Sequence, residues 1–269
     1  MIRRAVLVVL GLVWLGPTYL LLVNAARPAA SYDPGRAWAP SSDFALFENF
    51  ARALDSANLT QSLASTALYA VVSPLLGVLI GALAGYTIVV LRLRHGFFWF
   101  ILIFGGTVFP SQMLLVPLFV GYSDAGLYDS RLGMILVYTA ISVPLAAFVL
   151  RNFYTGVAFS IFEAARMDGA STWRIFWGIY LPISFSALTA VFILEFTFVW
   201  NDLIFGLTLT QTEDVRPVMT AIAGLMTDVY AGTPVPVGLA AGLVVSLPTV
   251  VLFLATQRLF ARGLSLGSV

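Results

Sequence analysis

The chain has 269 residues, 60% of them hydrophobic and only 10% charged, with a mean hydropathy of +0.95; soluble domains carry about a quarter charged residues. It contains no Cys, a single His (His95), and fourteen basic residues that are all Arg, which excludes a phosphate-binding loop, a lysine Schiff base and a Cys/His structural zinc site. His95 lies in an Arg-flanked turn and no serine stands on a glycine elbow, so no catalytic residue and no metal site is expected.

Six apolar stretches are long enough to cross a hydrocarbon layer of about 30 Å, which takes roughly 20 helical residues. They are Ala5 to Ala25, Leu63 to Leu91, Phe97 to Val120, Leu132 to Leu150, Ile183 to Leu207 and Val237 to Thr256. The expected fold is all-α: one polytopic membrane domain, 1–269, of six transmembrane helices with a helix-turn-helix loop between helices 4 and 5. Arg3, Arg4, Arg92, Arg94, Arg151, Arg166, Arg174, Arg258 and Arg262 fall on one side against only Glu163 and Asp168. The positive-inside rule makes that side cytoplasmic, with both termini inside.

The first span follows Arg3 and Arg4 like a signal peptide but has no convincing cleavage site, and is read as a retained helix kinked at Pro17. The external segment, about 26–61, carries three prolines and then a helical run, Asp43 to Asn58. Its Phe44, Phe47 and Phe50 recur at helical spacing, which suits burial against the bundle or contact with the membrane surface or a partner. Pro110 and Pro117, Pro144 and Pro248 lie inside the third, fourth and sixth spans, where protein or a cavity must satisfy the freed carbonyls.

The loop between the fourth and fifth spans, about 152–182, predicts a short helix over Phe159 to Met167. Ser160 and Glu163 have capping-box spacing, and Asp168-Gly169 supplies a turn in which Gly takes positive φ. Trp173, Phe176, Trp177 and Tyr180 then form one apolar stripe that packs under the bundle, and Pro182 opens the fifth span.

The run Glu163, Ala164, Ala165, Asp168, Gly169, Ala170, with Pro182 beyond it, resembles the EAA signature of permeases from binding-protein-dependent ABC importers. Phe109-Pro110 with Pro117, Gly126-Leu127 with Asp129, Phe148 to Arg151, Trp200-Asn201, and Gln257-Arg258 with Gly263-Leu264-Ser265 resemble the shorter permease of the sugar-type branch. The resemblance implies a bacterial inner (plasma) membrane protein that pairs with a second permease subunit. It also implies an ATPase subunit dimer docking on the loop and an extracytoplasmic substrate-binding protein. ATP and Mg would sit on the ATPase subunits, with no cofactor on this chain, which contacts membrane lipid and no nucleic acid. ATPase coupling is thereby assigned to Ser160, Phe162, Glu163, Ala164, Ala165, Asp168, Gly169 and Ala170. Where related loops carry polar or charged residues before the glutamate, this chain has Ala158, Phe159, Ser160, Ile161 and Phe162, an apolar docking surface.

Glu195 falls near the middle of the fifth span, where a carboxylate is costly. Asp202, seven residues on, is expected on the same face, about 10 Å further along. Either the pair walls a path for a hydroxylated substrate, or Glu195 ties helices together. Trp200 and Asn201 are candidates for a sugar-stacking face and an amide, and Gln112 is a further path candidate. Two other functions compete: a proton-coupled secondary carrier using Glu195, which lacks the internal repeat such folds show, and a non-transporting scaffold, which leaves the loop unexplained.

Overall fold

Proline and glycine decide which apolar stretches stay whole as helices and which break. The computed structural model describes residues 2–56, 58–108, 110–229 and 234–265; Phe109 and the side chains of Arg3, Asp228, Arg258, Arg262, Leu264 and Ser265 fall outside that description. Among the described residues every regular element is helical. α1 (Ile2–Ala25) runs unbroken through Pro17. α2 (Leu46–Ser56) precedes α3 (Leu59–Val89), which begins before the expected Leu63.

The third expected span is not one helix. α4 (Gly96–Gly105) and α5 (Leu115–Asp124) are separated by an irregular link and a 3-10 turn, Ser111–Leu114. Gly105-Gly106 weakens the helix, and Pro110, at φ −56° and ψ 125°, has no amide to continue it. α6 (Arg131–Thr155) crosses whole despite Pro144.

The loop after α6 comprises α7 (Ser160–Met167), α8 (Thr172–Ile175), a π turn over Phe176–Tyr180 and α9 (Leu181–Ile183). A bend of 74° then leads into α10 (Phe185–Trp200). Pro182 therefore sits inside the last turn of the loop and does not open the span; the elbow is Ser184. The fifth stretch also ends early, at Trp200, and resumes after Asn201–Leu203 as α11 (Ile204–Leu209). α12 (Val218–Val229) and α13 (Val235–Ser265) are the last helices among the described residues. Among the described residues four helical stretches are long and apolar enough to cross a membrane by themselves, Arg4–Ala25, Leu59–Val89, Arg131–Thr155 and Val235–Gln257, and the bent pair makes a fifth if it is counted as one span.

α3 and α6 form the central contact. Gly77, Gly81 and Gly85 repeat every four residues along α3, and a Cβ at Gly81 would stand 2.5 Å from Ala146 Cβ, one at Gly85 2.8 Å from the Arg151 amide nitrogen. Small residues let membrane helices approach closely enough for backbone-level packing, which replaces the hydrophobic drive that lipid cannot supply. α10 lies along both helices.

At the end bearing most of the acidic residues, the Asp129 carboxylate accepts from the amides of Gln211 (2.8 Å) and Thr212 (3.0 Å). Burial pushes this carboxyl up, but the amides outweigh it and hold it below the ordinary carboxylate range. Of the alternatives for the aromatic ladder on and before α2, burial against the bundle does not hold for Phe44 and Phe47. α2 buries Asn49 and Ala53, with Ala45 buried just before it, and Asn49 Nδ2 donates to the carbonyls of Ala25 (2.9 Å) and Arg27 (2.7 Å). Phe44 and Phe47 stand 67% and 74% exposed.

Candidate functional site

Two regions of the molecule carry the residues singled out from the sequence, and α10 joins them. The first is a cavity of about 710 Å³ between the broken α4–α5 segment, α6 and α10, within the size range of small-molecule sites. Its polar lining includes Thr107, Ser111, Gln112 and Glu195, against a wall with Pro144 and Phe198. The break after α4 and Glu195 each lie ten residues along a helix from the arginine-rich end, or about 15 Å in. In a chain crossing a layer of about 30 Å, that distance would be halfway across. Irregular backbone is tolerated at such depth only when protein buries it or it lines a cavity, and here it lines one.

The structure thus brings Glu195 and Gln112 to one cavity. Glu195 is 4% exposed, and its Oε2 lies 2.9 Å from the Ser142 hydroxyl. The other three path candidates lie elsewhere. Trp200 is buried, stacks on Phe196 at 5.5 Å, and donates from Nε1 to the Val245 carbonyl (3.0 Å), tethering α10 to α13. Asn201 turns back to the Thr197 carbonyl (2.7 Å). Asp202 has left the helix, so it shares no stripe with Glu195; it accepts from Tyr138 Oη (2.9 Å) and from the amides of Phe205 (3.1 Å) and Gly206 (3.3 Å). Those amides open α11, and capping them is a structural task. Tyr138 and Ser142, one helical turn apart on α6, hold both acids. Sequence inspection missed them because hydroxyls within an apolar span give no periodic signal.

The second region is the loop. Gly169 adopts φ +77°, and the bonds Gly169 N to Arg166 O (3.1 Å) and Ala170 N to Ala165 O (3.0 Å) close α7 in a Schellman motif. The expected capping box is absent: no side chain caps α7, whose N-cap is Phe159. The serine that does cap is Ser171, accepting from the Arg174 amide at the start of α8.

The aromatic stripe is also divided. Phe176 and Tyr180 are buried while Trp173 and Trp177 are 62% and 48% exposed; α8 already turns Ile175 and not Trp173 inward, and the π turn follows at Phe176. Ala165, Ile175, Phe176 and Tyr180 share one hydrophobic cluster with Tyr86 of α3, Leu150 and Tyr154 of α6 and Val191 of α10, with Phe162 and Ala170 packed at its edge. Tyr86 Oη donates to the Thr172 carbonyl (3.1 Å), and the Tyr154 and Ser184 hydroxyls meet at 3.3 Å. Ser160, Glu163, Ala164 and Asp168 remain exposed on the opposite face, with Met167 83% exposed beside them.

The sequence profile of the "Binding-protein-dependent transport system inner membrane component" family matches residues 77–266. A probable ABC transporter permease of Pyrococcus horikoshii is 34% identical over 61% of this chain and 59% of its own length. The alpha-glucoside transport system permease AglG of Rhizobium meliloti is 32% identical over 82% of this chain and 60% of its own. These two matches span under two thirds of those proteins. The melibiose/raffinose/stachyose import permease MelC of Bacillus subtilis is 31% identical over 94% of this chain and 90% of its own. A solved bacterial ABC transporter involved in the import of the acidic polysaccharide alginate has the same fold, at a TM-score of 0.81 over 96% of this chain and 94% of that chain, with 22% identity. On the profile match and the near full-length relative, this multi-pass membrane chain belongs to the binding-protein-dependent transport system inner membrane component family, among the permeases of ABC importers.

Proposed function

We propose that the chain is one of two permease subunits of an ATP-driven importer for a sugar or related polyol or oligosaccharide. In this reading the cavity holding Glu195 and Gln112 is its half of the translocation path. The exposed face of α7, with Ser160, Glu163, Ala164 and Asp168, is the contact for an ATPase dimer that holds the ATP and Mg. Phe162, Ala165 and Ala170 support that face from within, and Gly169 makes the turn that ends it. An extracytoplasmic binding protein delivers the substrate. The α4–α5 pair serves as a broken sixth crossing, and both termini lie in the cytoplasm.

The observation that carries the proposal is the physical continuity between loop and cavity. The cluster that seats α8 and the π turn also contains Val191, one helical turn from Glu195 on the cavity wall. A push on the loop is therefore delivered through packed side chains and the Ser184 elbow to α10 and the cavity. Rigid transmission of this kind needs an element with packed, discrete positions. The sugar class rests on relatives such as AglG and MelC, whose names specify glucosides and raffinose-type oligosaccharides, and on a mid-membrane carboxyl and carboxamide suited to hydroxyl groups.

The test is isolation of the tagged chain from its native membrane. A second permease and an ATPase should co-purify, and the complex should hydrolyse ATP while this chain alone does not. Recovery of the functional chain with neither companion would overturn the proposal.

A further inference from the structure

We infer that Arg92 is a positioning residue for the docking loop: its guanidinium, set over the Phe159 ring, fixes where α7 starts. The inference rests on the coupling role proposed for that loop. α7 has eight residues and no side-chain cap, and a helix that short has little stability of its own. Its placement must come from packing. At its far end the Schellman turn leads into α8, whose first residue, Thr172, accepts through its carbonyl from Tyr86 of α3 (3.1 Å). At its near end the Arg92 guanidinium carbon lies 3.8 Å from the centre of the Phe159 ring, and Phe159 stacks on Phe162 at 5.5 Å and 28°. Phe162 in turn packs on the cluster beneath the loop.

Arg92 is placed for this by the chain that carries it. It sits just past α3 at φ +50°, in a region that non-glycine residues seldom occupy, and the turn is closed by Leu91 N to Tyr86 O (3.2 Å) and Leu93 N to Thr87 O (3.3 Å). Both anchors of α7 thus come from α3, the helix that Gly77, Gly81 and Gly85 lock against α6. α7 is slung between them with Glu163 and Met167 turned outward. The apolar run before Glu163, which departs from the related loops, acquires a purpose: Phe159 and Phe162 are the stack that Arg92 closes. A planar, weakly hydrated guanidinium suits a ring face better than an ammonium does.

The experiment uses the assembled complex with Arg92→Gln, Arg92→Lys, Phe159→Leu, Phe159→Tyr and the double variant Arg92→Gln/Phe159→Leu. It reads ATPase affinity for the permease pair and substrate moved per ATP hydrolysed. An exposed cation–π contact corresponds to about a two- to fivefold loss of affinity, expected for Arg92→Gln and Phe159→Leu with a parallel fall in substrate per ATP. The double variant should lose no more than either single one. Phe159→Tyr should retain wild-type values, and Arg92→Lys should lose part of them. Wild-type affinity and stoichiometry in Arg92→Gln, or additive losses in the double variant, would overturn the inference. Gly169→Val is the control that separates the two claims. If it weakens docking and Arg92→Gln does not, only the Arg92 role fails; if neither does, the coupling role of the loop fails with it.

Discussion

At Gly169 no atom lies within 4 Å of where a Cβ would stand, so a side chain there meets backbone strain and no clash. Gly169→Val should cost roughly 1–3 kcal/mol and displace α7, lowering ATPase docking at normal membrane levels. Gly169→Asn should keep most of it, since Asn visits the left-handed region; equal loss in both would point to contact and away from strain. No side chain caps α7, so the proposed docking role of Glu163 rests on its charge, and Glu163→Gln should impair docking as much as Glu163→Ala. Wild-type docking in Glu163→Gln would refute that role. Gly169 was legible in the sequence because a turn between helices demands positive φ. Ser171 was not, because Ser160 offered a capping spacing that the backbone never uses. Asp202 was misplaced because helix periodicity was carried past Trp200, where the helix ends.

Elements were legible where hydropathy and continuity agree. α1, α3 and α6 follow their apolar stretches with ends shifted by a few residues, and α13 follows its own but continues from Thr256 to Ser265. The stretch 97–120 was read as one helix because hydropathy counts apolar residues and is blind to hydrogen bonds; Gly105-Gly106 and Pro110 break it, and the cavity lies where it breaks. Of the alternatives for the Phe44, Phe47 and Phe50 ladder, burial against the bundle does not hold for Phe44 and Phe47, which stand exposed while Asn49 and Ala53 are buried; contact with a membrane surface or a partner stays open. The glycine seam of α3 yields a direct prediction. Gly81→Leu adds a side chain where even a Cβ would fall 2.5 Å from Ala146 Cβ. It should destabilise the fold by at least the roughly 1–3 kcal/mol of an overpacked core, read as a lower melting temperature and reduced membrane level. Gly11→Leu in α1, where a Cβ meets nothing within 4 Å, should be tolerated.

The tie between Asp129 and the 211–212 amides predicts acid sensitivity. Its folded carboxyl titrates below the ordinary value, so its stabilisation is complete above that value and is lost as pH falls through the depressed one. Melting temperatures taken at descending pH should drop further for the wild type than for Asp129→Asn; parallel curves would show that the tie contributes nothing.

On the scale of the whole molecule, the loop, the elbow at Ser184 and the cavity wall form one packed path from one end of the bundle to its middle. The absence of Lys excluded a phosphate-binding loop from the sequence alone, and the proposed function therefore places ATP on a partner subunit. What the sequence did not disclose was the path itself, because Tyr86, Tyr154, Val191 and Ser184 meet only through tertiary packing. The most direct test is uptake by the complete complex reconstituted in sealed vesicles, with ATP on the ATPase side, binding protein and labelled sugar on the other, and the proton gradient collapsed by an ionophore. Accumulation that requires ATP and persists without the gradient is the predicted result. Uptake that follows an imposed proton gradient, ignores ATP and disappears in Glu195→Gln would contradict the account and leave the carboxyl in the cavity as a proton site.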